Sequence, residues 1–143
     1  MSFDQGFSIA STTAMAGWFA LLLLPRWPLL VSALRYGLIG ALSVAYAVLI
    51  MVFFFRVEGG GFNTIGEVRA LFMSDGGLLA GWIHYLAFDL FVGIWIAGEA
   101  DRIGMSRLLQ IPILIATFMF GPIGLLIYLA SRATMALPST ARS

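Results

Sequence analysis

One stretch of the sequence, HYLAFDLFVGIW at residues 84–95, combines two ionisable side chains with a run of apolar ones. His84 is the single histidine of the chain, and Asp89 follows it five residues later. An imidazole exchanges protons near neutral pH, and a carboxyl group in apolar surroundings can serve as a general acid. We therefore predict that His84 and Asp89 are catalytic residues, with Glu99, further along the same segment, as a third candidate.

Helical periodicity divides the side chains of this stretch between faces. At about 100° per residue, His84 and Asp89 lie about 140° apart around a helix, so they do not touch but can border one cavity. Large aromatic rings follow both faces. They either face lipid, which the sequence alone favours, or line a groove for a long flat ligand. In the second case the predicted ligand-binding residues are Trp82, Tyr85, Phe88, Trp95 and Pro122.

A purely structural role for the two ionisable residues is a competing interpretation. Lone polar side chains in membrane bundles often make hydrogen bonds between helices and do no chemistry. His84 and Asp89 would then bind backbone groups or a tyrosine hydroxyl. The candidate tyrosines are Tyr46, Tyr85 and Tyr128.

A metal site has weaker support than either of these roles. One histidine and scattered carboxylates lack the spacing of a ligand set. The chain has no cysteine, which excludes disulfides, thiolate metal sites and a cysteine nucleophile. We predict no metal and no cofactor. In the same conservative interpretation, Glu99 belongs with Asp101 and Arg102 to a solvated charge cluster at the membrane surface.

The composition predicts that the candidate residues sit inside a membrane. The 143 residues are 61% hydrophobic and 10% charged, with a mean hydropathy of +0.99. That is too little charge to cover a soluble domain. Four apolar stretches approach or exceed the ~20 residues that cross a ~30 Å bilayer core. We predict an all-α integral membrane bundle with a single domain over residues 1–143. Its spans are 7–24, 29–55, 77–98 and 108–131.

Prolines and glycines mark the breaks between these spans. Pro25 and Pro28 end the first span, and three glycines at 59–61 end the second. Between the second and third spans, apolar residues at helical spacing indicate a short interfacial helix, although an ordinary loop fits equally well. Pro122 falls in the middle of the fourth span, where we expect it to kink the helix.

The arginines give no orientation if the chain crosses the membrane four times. One side then carries Arg56, Arg69, Arg132 and Arg142, and the other carries Arg26, Arg35, Arg102 and Arg107. Because the two counts are equal, the positive-inside rule does not decide. The first residues lack the basic start of a secretory signal, so we expect the first span to be retained.

Three segments resemble a known family of membrane proteins. They are WIHYLAFDLFVG at 82–93, EADRIGM at 99–105 and FGPIGLLIYL at 120–129. With the order of the spans and the total length, they look like the abscisic-acid-deficiency-type (neoxanthin-synthase-like) proteins. The clearest marks are His84-Tyr85, Phe88-Asp89-Leu90 and Pro122 followed by Gly124.

The resemblance implies four membrane helices and a role in xanthophyll metabolism. Plant members convert violaxanthin to neoxanthin, an isomerisation in which a carotenoid epoxide opens and an allene forms beside it. No electron carrier is needed. The resemblance makes Asp89 and His84 the natural acid and base by position, with Glu99 in reserve. The sequence lacks the plastid-targeting extension of plant members, which predicts a prokaryotic relative in the inner (cytoplasmic) membrane.

Two functional hypotheses follow from the resemblance and the residues together. The first is a carotenoid-handling membrane protein, an isomerase or other modifying enzyme that works by general acid–base chemistry. The second is a non-enzymatic small membrane subunit that binds pigment or packs against a larger membrane complex. The expected partners are membrane lipid, a carotenoid or other long apolar ligand, and a second copy of the chain or a larger complex. The net charge of +1 does not favour nucleic acid.

Overall fold

The computed structural model describes residues 2–136, and every regular element in that range is a helix. The all-α prediction is therefore confirmed there, while Arg142 lies outside the described residues. The helices are α1 (Phe3–Leu23), α2 (Pro28–Arg56), α3 (Ile65–Met73), α4 (Asp75–Arg102), α5 (Arg107–Phe120) and α6 (Pro122–Ala136).

Within residues 2–136, three helices are long and apolar enough to cross a membrane: α1, α2 and α4. They correspond to the predicted spans 7–24, 29–55 and 77–98. Local chemistry sets their starts. Ser2 and Gln5 form a capping box that satisfies the first backbone amides of α1, and Pro28 is the first residue of α2, where no amide is needed.

The fourth predicted span, 108–131, is not one kinked helix, because it divides at Gly121 into α5 and α6. Gly121 adopts φ 48°, a conformation that side chains other than glycine rarely take, and the proline that follows disfavours a helical residue before it. With 14 and 15 residues, each helix extends only about 21–23 Å. Pro122 therefore starts a new helix instead of bending an existing one.

The two short helices fold back on each other as a helical hairpin. Gly124 lies so close to Thr117 that a Cβ atom there would collide with the backbone of Thr117. Seven residues along a continuous helix would separate the two by about 10 Å. Leu114 and Thr117 are completely buried on α5, and Tyr128 is completely buried on α6.

Contacts with the last turns of α4 show where the hairpin ends. The rings of Trp95 and Tyr128 meet edge to face at 5.5 Å, and Arg132 Nη1 lies 3.0 Å from Glu99 Oε2. Both pairs have the same sequence offset, so α6 runs parallel to the end of α4. The chain thus returns to the end of α4 from which it departed.

The connection between α2 and α4 contains the predicted short helix, α3. Its first turn is capped by Thr64, whose Oγ1 accepts a hydrogen bond from the backbone N of Glu67 at 3.2 Å. The helical interpretation of this segment is confirmed. Its apolar residues Phe62, Ile65 and Phe72 are exposed, as an interfacial helix requires, and its position at the membrane surface stays a prediction.

Two compact units divide the chain within α4, between Phe91 and Val92. The first unit has a core of small and aliphatic side chains from α1, α2 and α4. It comprises Ala10, Ala14, Leu42, Leu79, Ile83, Leu86 and Ala87. The prediction of a single domain over residues 1–143 stays a prediction.

Candidate functional site

His84 lines a cavity of about 240 Å³ formed by α2, α3 and the first half of α4. Its imidazole stacks on the ring of Phe88 at a centroid distance of 4.6 Å and lies 5.5 Å from the ring of Tyr46 on α2. The remaining lining residues in the described part of the chain are aliphatic, phenylalanine, alanine or glycine. The cavity is therefore an apolar chamber with two polar groups side by side.

Glycines at the start of α4 allow aromatic rings to lie directly on its backbone. A Cβ at Gly76 would collide with the ring of Phe53 from α2, and one at Gly81 would collide with the ring of Phe72 from α3. The rings of both Phe53 and Phe72 line the cavity. Larger residues at these two positions would push the walls of the cavity apart.

Hydrogen bonds hold α3 against the cavity. Ser74 Oγ donates to the carbonyl oxygen of Leu71 at 2.8 Å and accepts from the backbone N of Gly77 at 3.1 Å, which joins the end of α3 to the start of α4. Before α3, Glu67 Oε2 accepts from the backbone N of Asn63 at 2.9 Å. The buried side chain of Leu71 can therefore form part of the cavity wall.

A second hollow continues the cavity along the same side of α2 and α4. Its lining is Ile39, Ser43, Ala87, Phe88 and Phe91. Phe53 packs at Gly76 and Tyr46 at His84, so α2 and α4 run antiparallel here. Phe88 links the two hollows, because it lines the second one and its ring stacks on His84 of the first. We call this depression the α2–α4 groove; residues 39–54 of α2 give it a length of about 22 Å.

Asp89 belongs to a different face of α4, together with Trp82 and Tyr85. Trp82 Nε1 donates to Ser11 Oγ of α1 at 2.8 Å, and its ring lies 5.3 Å from that of Tyr85. Tyr85 and Asp89 are joined by a side-chain hydrogen bond. The second carboxylate oxygen of Asp89 is buried and has no hydrogen-bond partner among the described residues.

The structure therefore does not bring His84 and Asp89 together in the cavity. His84 and Phe88 lie along the α2–α4 groove, and the cavity lining does not include Asp89. The separation of about 140° expected from helical periodicity places the two groups on different faces. Tyr85 hydrogen bonding to Asp89 matches one of the partners expected under the structural interpretation.

The other candidate residues lie in the second unit. Glu99 accepts hydrogen bonds from Arg102 at 2.7 Å and Arg132 at 3.0 Å, so its carboxylate is occupied by two guanidinium groups. Trp95 packs against Tyr128, whose buried hydroxyl has no hydrogen-bond partner among residues 2–136. Pro122 is the exposed first residue of α6.

Comparison with known protein families adds the decisive observation. The family model described as ABA DEFICIENT 4-like matches residues 5–128, which include every candidate site residue named so far. The chain belongs to the ABA DEFICIENT 4-like family. Searches of curated proteins and of solved structures found no match. The family resemblance inferred from the three sequence segments is thus confirmed, and a prokaryotic origin of this ABA4-like chain stays a prediction.

The ABA4-like chain has polar groups that sequence reasoning did not assign to a site. The sequence predicts Tyr46 only as a hydrogen-bond partner, yet its ring contacts that of His84 and both line the cavity. Its signal was a phenol in the middle of the most apolar span. Gln110 is completely buried and donates to Asp101 Oδ1 and to the carbonyl oxygen of Met105, both at 2.8 Å. It fixes the turn between α4 and α5.

No metal-binding group emerges from the described part of this ABA4-like chain. Among residues 2–136, no three His, Cys, Asp or Glu side chains gather closely enough to hold an ion. The catalytic and ligand-binding roles predicted for the individual residues are not decided by these contacts.

Proposed function

We propose that this chain is a carotenoid-handling membrane protein that holds its ligand in the α2–α4 groove, with His84 beside the reactive end. Membership of the ABA DEFICIENT 4-like family supports a carotenoid as the ligand. The observation that carries the proposal is the apolar cavity around His84. It is the place where an imidazole and a long hydrophobic molecule can meet inside the described residues.

The shape of the groove fits a rod-shaped ligand with a ring at its end. The cavity of about 240 Å³ equals the share of roughly eight waters in the liquid, at ~30 Å³ each, which is room for one substituted six-membered ring. From the cavity, the groove continues for about 10 Å along residues 39–46 of α2, beside Phe88 and Phe91. A polyene can lie there against aromatic faces while its far end extends into lipid.

The proposed chemistry is an isomerisation that opens a ring epoxide without oxidation or reduction. His84 takes the proton from a vinylic carbon of the polyene next to the ring. The electrons of that C–H bond become the second double bond of an allene, the bond between the ring carbon and the epoxide oxygen breaks, and the oxygen takes a proton from an acid. The cavity supports such a step because apolar side chains form most of the wall around a basic nitrogen.

The proposal does not rely on the two predicted catalytic carboxylates, because both are held by other side chains. Asp89 is hydrogen-bonded to Tyr85 on another face of α4, and Glu99 is held by two arginines. Trp82 and Tyr85 share the face of Asp89, so we assign ligand contact first to Phe88. Contact of the ligand with Trp95 and Pro122 stays a prediction.

A non-enzymatic pigment-binding subunit is the alternative that the exposed surface of α2 favours. Only 6% of the most apolar 18-residue stretch of α2 is buried within the described chain. Open space surrounds Gly37 and Gly40, where added Cβ atoms would meet nothing within 4 Å. Such a surface suits packing against a second copy or a larger membrane complex, and the inner membrane of a prokaryote is the proposed location.

Expression in a carotenoid-producing host tests the proposal. We expect the wild-type chain to change the carotenoid profile seen by chromatography, and His84→Ala to abolish the change while the protein still accumulates in the membrane. Asp89→Asn is the comparison variant, expected to keep most of the activity. Pigment that co-purifies unchanged with both would favour the binding subunit. No bound pigment and no altered profile would contradict both carotenoid roles.

A further inference from the structure

We infer that the Tyr46 hydroxyl is the second proton-transfer group of the cavity and acts as the acid while His84 acts as the base. This inference rests on the proposed function, because it names the residue that protonates the epoxide oxygen. It replaces the sequence-based pairing of His84 with Asp89 by a pairing across α2 and α4.

The composition of the cavity wall singles out Tyr46. Among the described lining residues, only Tyr46 and His84 carry a nitrogen or oxygen in their side chains. Their ring centroids are 5.5 Å apart, with the ring planes tilted by 52°, so a ligand bound in the cavity lies beside both rings. Phe88 stacks on His84 at 4.6 Å and restricts the orientation of the imidazole.

The surroundings suit a neutral acid better than a carboxylate. An ionised carboxylate in an apolar chamber is costly unless it is paired, whereas a phenol enters such a chamber uncharged with its proton in place. No Asp, Glu or Arg belongs to the described lining. Tyrosine is among the side chains that serve as general acids, and hydrogen bonds in apolar sites often tighten only when ligand binds.

His84 and Tyr46 together account for both proton transfers of the step. His84 accepts the proton of the vinylic C–H bond and becomes an imidazolium, while Tyr46 gives its hydroxyl proton to the epoxide oxygen and becomes a phenolate. Transfer of one proton from the imidazolium to the phenolate restores both groups. The product is an allenic alcohol with the atoms of the substrate, so neither an oxidant nor a reductant takes part.

Tyr46→Phe is the decisive variant, because it removes the hydroxyl and keeps the ring that packs on His84. Tyr36→Phe is the control, since Tyr36 is an exposed tyrosine of α2 that does not belong to the described cavity lining. With violaxanthin as the probe substrate, we expect Tyr46→Phe to lower kcat about 10²–10⁴-fold with KM changed only a few-fold, and Tyr36→Phe to stay within a few-fold of wild type in both. Full turnover in Tyr46→Phe would overturn the inference.

A spectroscopic measurement separates this inference from the fate of the proposed function. His84 is the only histidine, so ¹⁵N-histidine labelling reports on it alone. In lipid nanodiscs, at a pH where the imidazole is neutral, we expect Tyr46→Phe to change the ratio of the two imidazole tautomers, because it removes the hydroxyl that shares the described cavity wall with the imidazole. Tyr36→Phe should leave the ratio unchanged.

The turnover and tautomer measurements test the two hypotheses separately. Wild-type protein that neither binds nor converts violaxanthin would remove the proposed function. A tautomer ratio that responds to Tyr46→Phe would in that case still support the Tyr46–His84 pair. A ratio that is unchanged in Tyr46→Phe, or that changes equally in Tyr36→Phe, would overturn the pair even if the chain isomerises carotenoids.

Discussion

Of the two helices that form the groove, the more apolar one is the less buried. α2 has a mean hydropathy of 2.6 with 6% of its most apolar window buried, whereas α4 has a mean hydropathy of 1.5 with 50% buried. In a soluble protein the more apolar helix would be the more buried one. The reversal is expected when lipid is the solvent, because acyl chains accept the apolar surface of α2 while α4 keeps its polar groups among helices.

The largest difference should appear when a large apolar side chain is truncated to alanine on each of the two helices. Leu90 on α4 is 0% exposed, so we expect Leu90→Ala to cost about 2–5 kcal/mol of unfolding free energy through the cavity it leaves. Met51 on α2 is 73% exposed, and lipid can fill the space that Met51→Ala vacates, which predicts a change near zero. Unfolding by SDS in mixed micelles measures both. Similar losses for the two variants would break the comparison.

A charge on the outer surface of α2 should have the next largest effect. Val44 is 65% exposed near the middle of α2, and an arginine in the centre of a membrane helix costs about 2.5–3.5 kcal/mol on insertion scales. We expect Val44→Arg to reduce the membrane-inserted fraction, measured by carbonate extraction. Val44→Leu is the control and should insert normally. Normal insertion of the arginine variant would mean that this surface is covered by protein or reaches water.

Two glycine substitutions should give the smallest effects, with opposite signs. A Cβ at Gly17 of α1 would lie 2.8 Å from Leu38 Cδ1 and 3.0 Å from Leu90 Cδ2, so Gly17→Ala should cost about 1–3 kcal/mol through overpacking. At Gly40 of α2 nothing lies within 4 Å, so Gly40→Ala should stabilise by about 0.5–1 kcal/mol through helix propensity. The same SDS titration reports both. Destabilisation at Gly40 would reveal a partner on α2.

Hydropathy was sufficient to predict α1, α2 and α4, because a bilayer fixes both the length and the polarity of a span. It failed at 108–131, where the apolar run continues across a change of direction. The dipeptide Gly121-Pro122 did carry the information: a residue before proline avoids the helical region, and glycine adopts positive φ. The prediction of a kink at Pro122 was wrong because it did not take Gly121 into account.

The site was predictable only as far as a single helix allows. Periodicity placed His84 and Asp89 on different faces of α4, and that separation is present. Which helix covers each face depends on how the bundle assembles, so the contact between His84 and Tyr46 had no local signature.

The return of α6 to the Glu99 end of α4 changes the number of times the backbone passes through the bilayer. We predict three passages, by α1, α2 and α4, and a hairpin that re-enters from the side on which α4 ends. Arg132, ion-paired to Glu99, then shares a side with four other arginines. These are Arg26, Arg35, Arg102 and Arg107, against Arg56 and Arg69 across the membrane.

Among residues 2–136, five arginines against two predict that the Glu99 end of α4 faces the cytoplasm. The absence of native cysteines allows a clean topology test with a thiol reagent that does not cross membranes. Asn63→Cys should react in intact cells, and Ser106→Cys only after permeabilisation; the reverse pattern would contradict the assignment. His84 lies nearer the Asp75 end of α4. A ligand would then enter the cavity around His84 from the leaflet that faces away from the cytosol, and leave into the same leaflet.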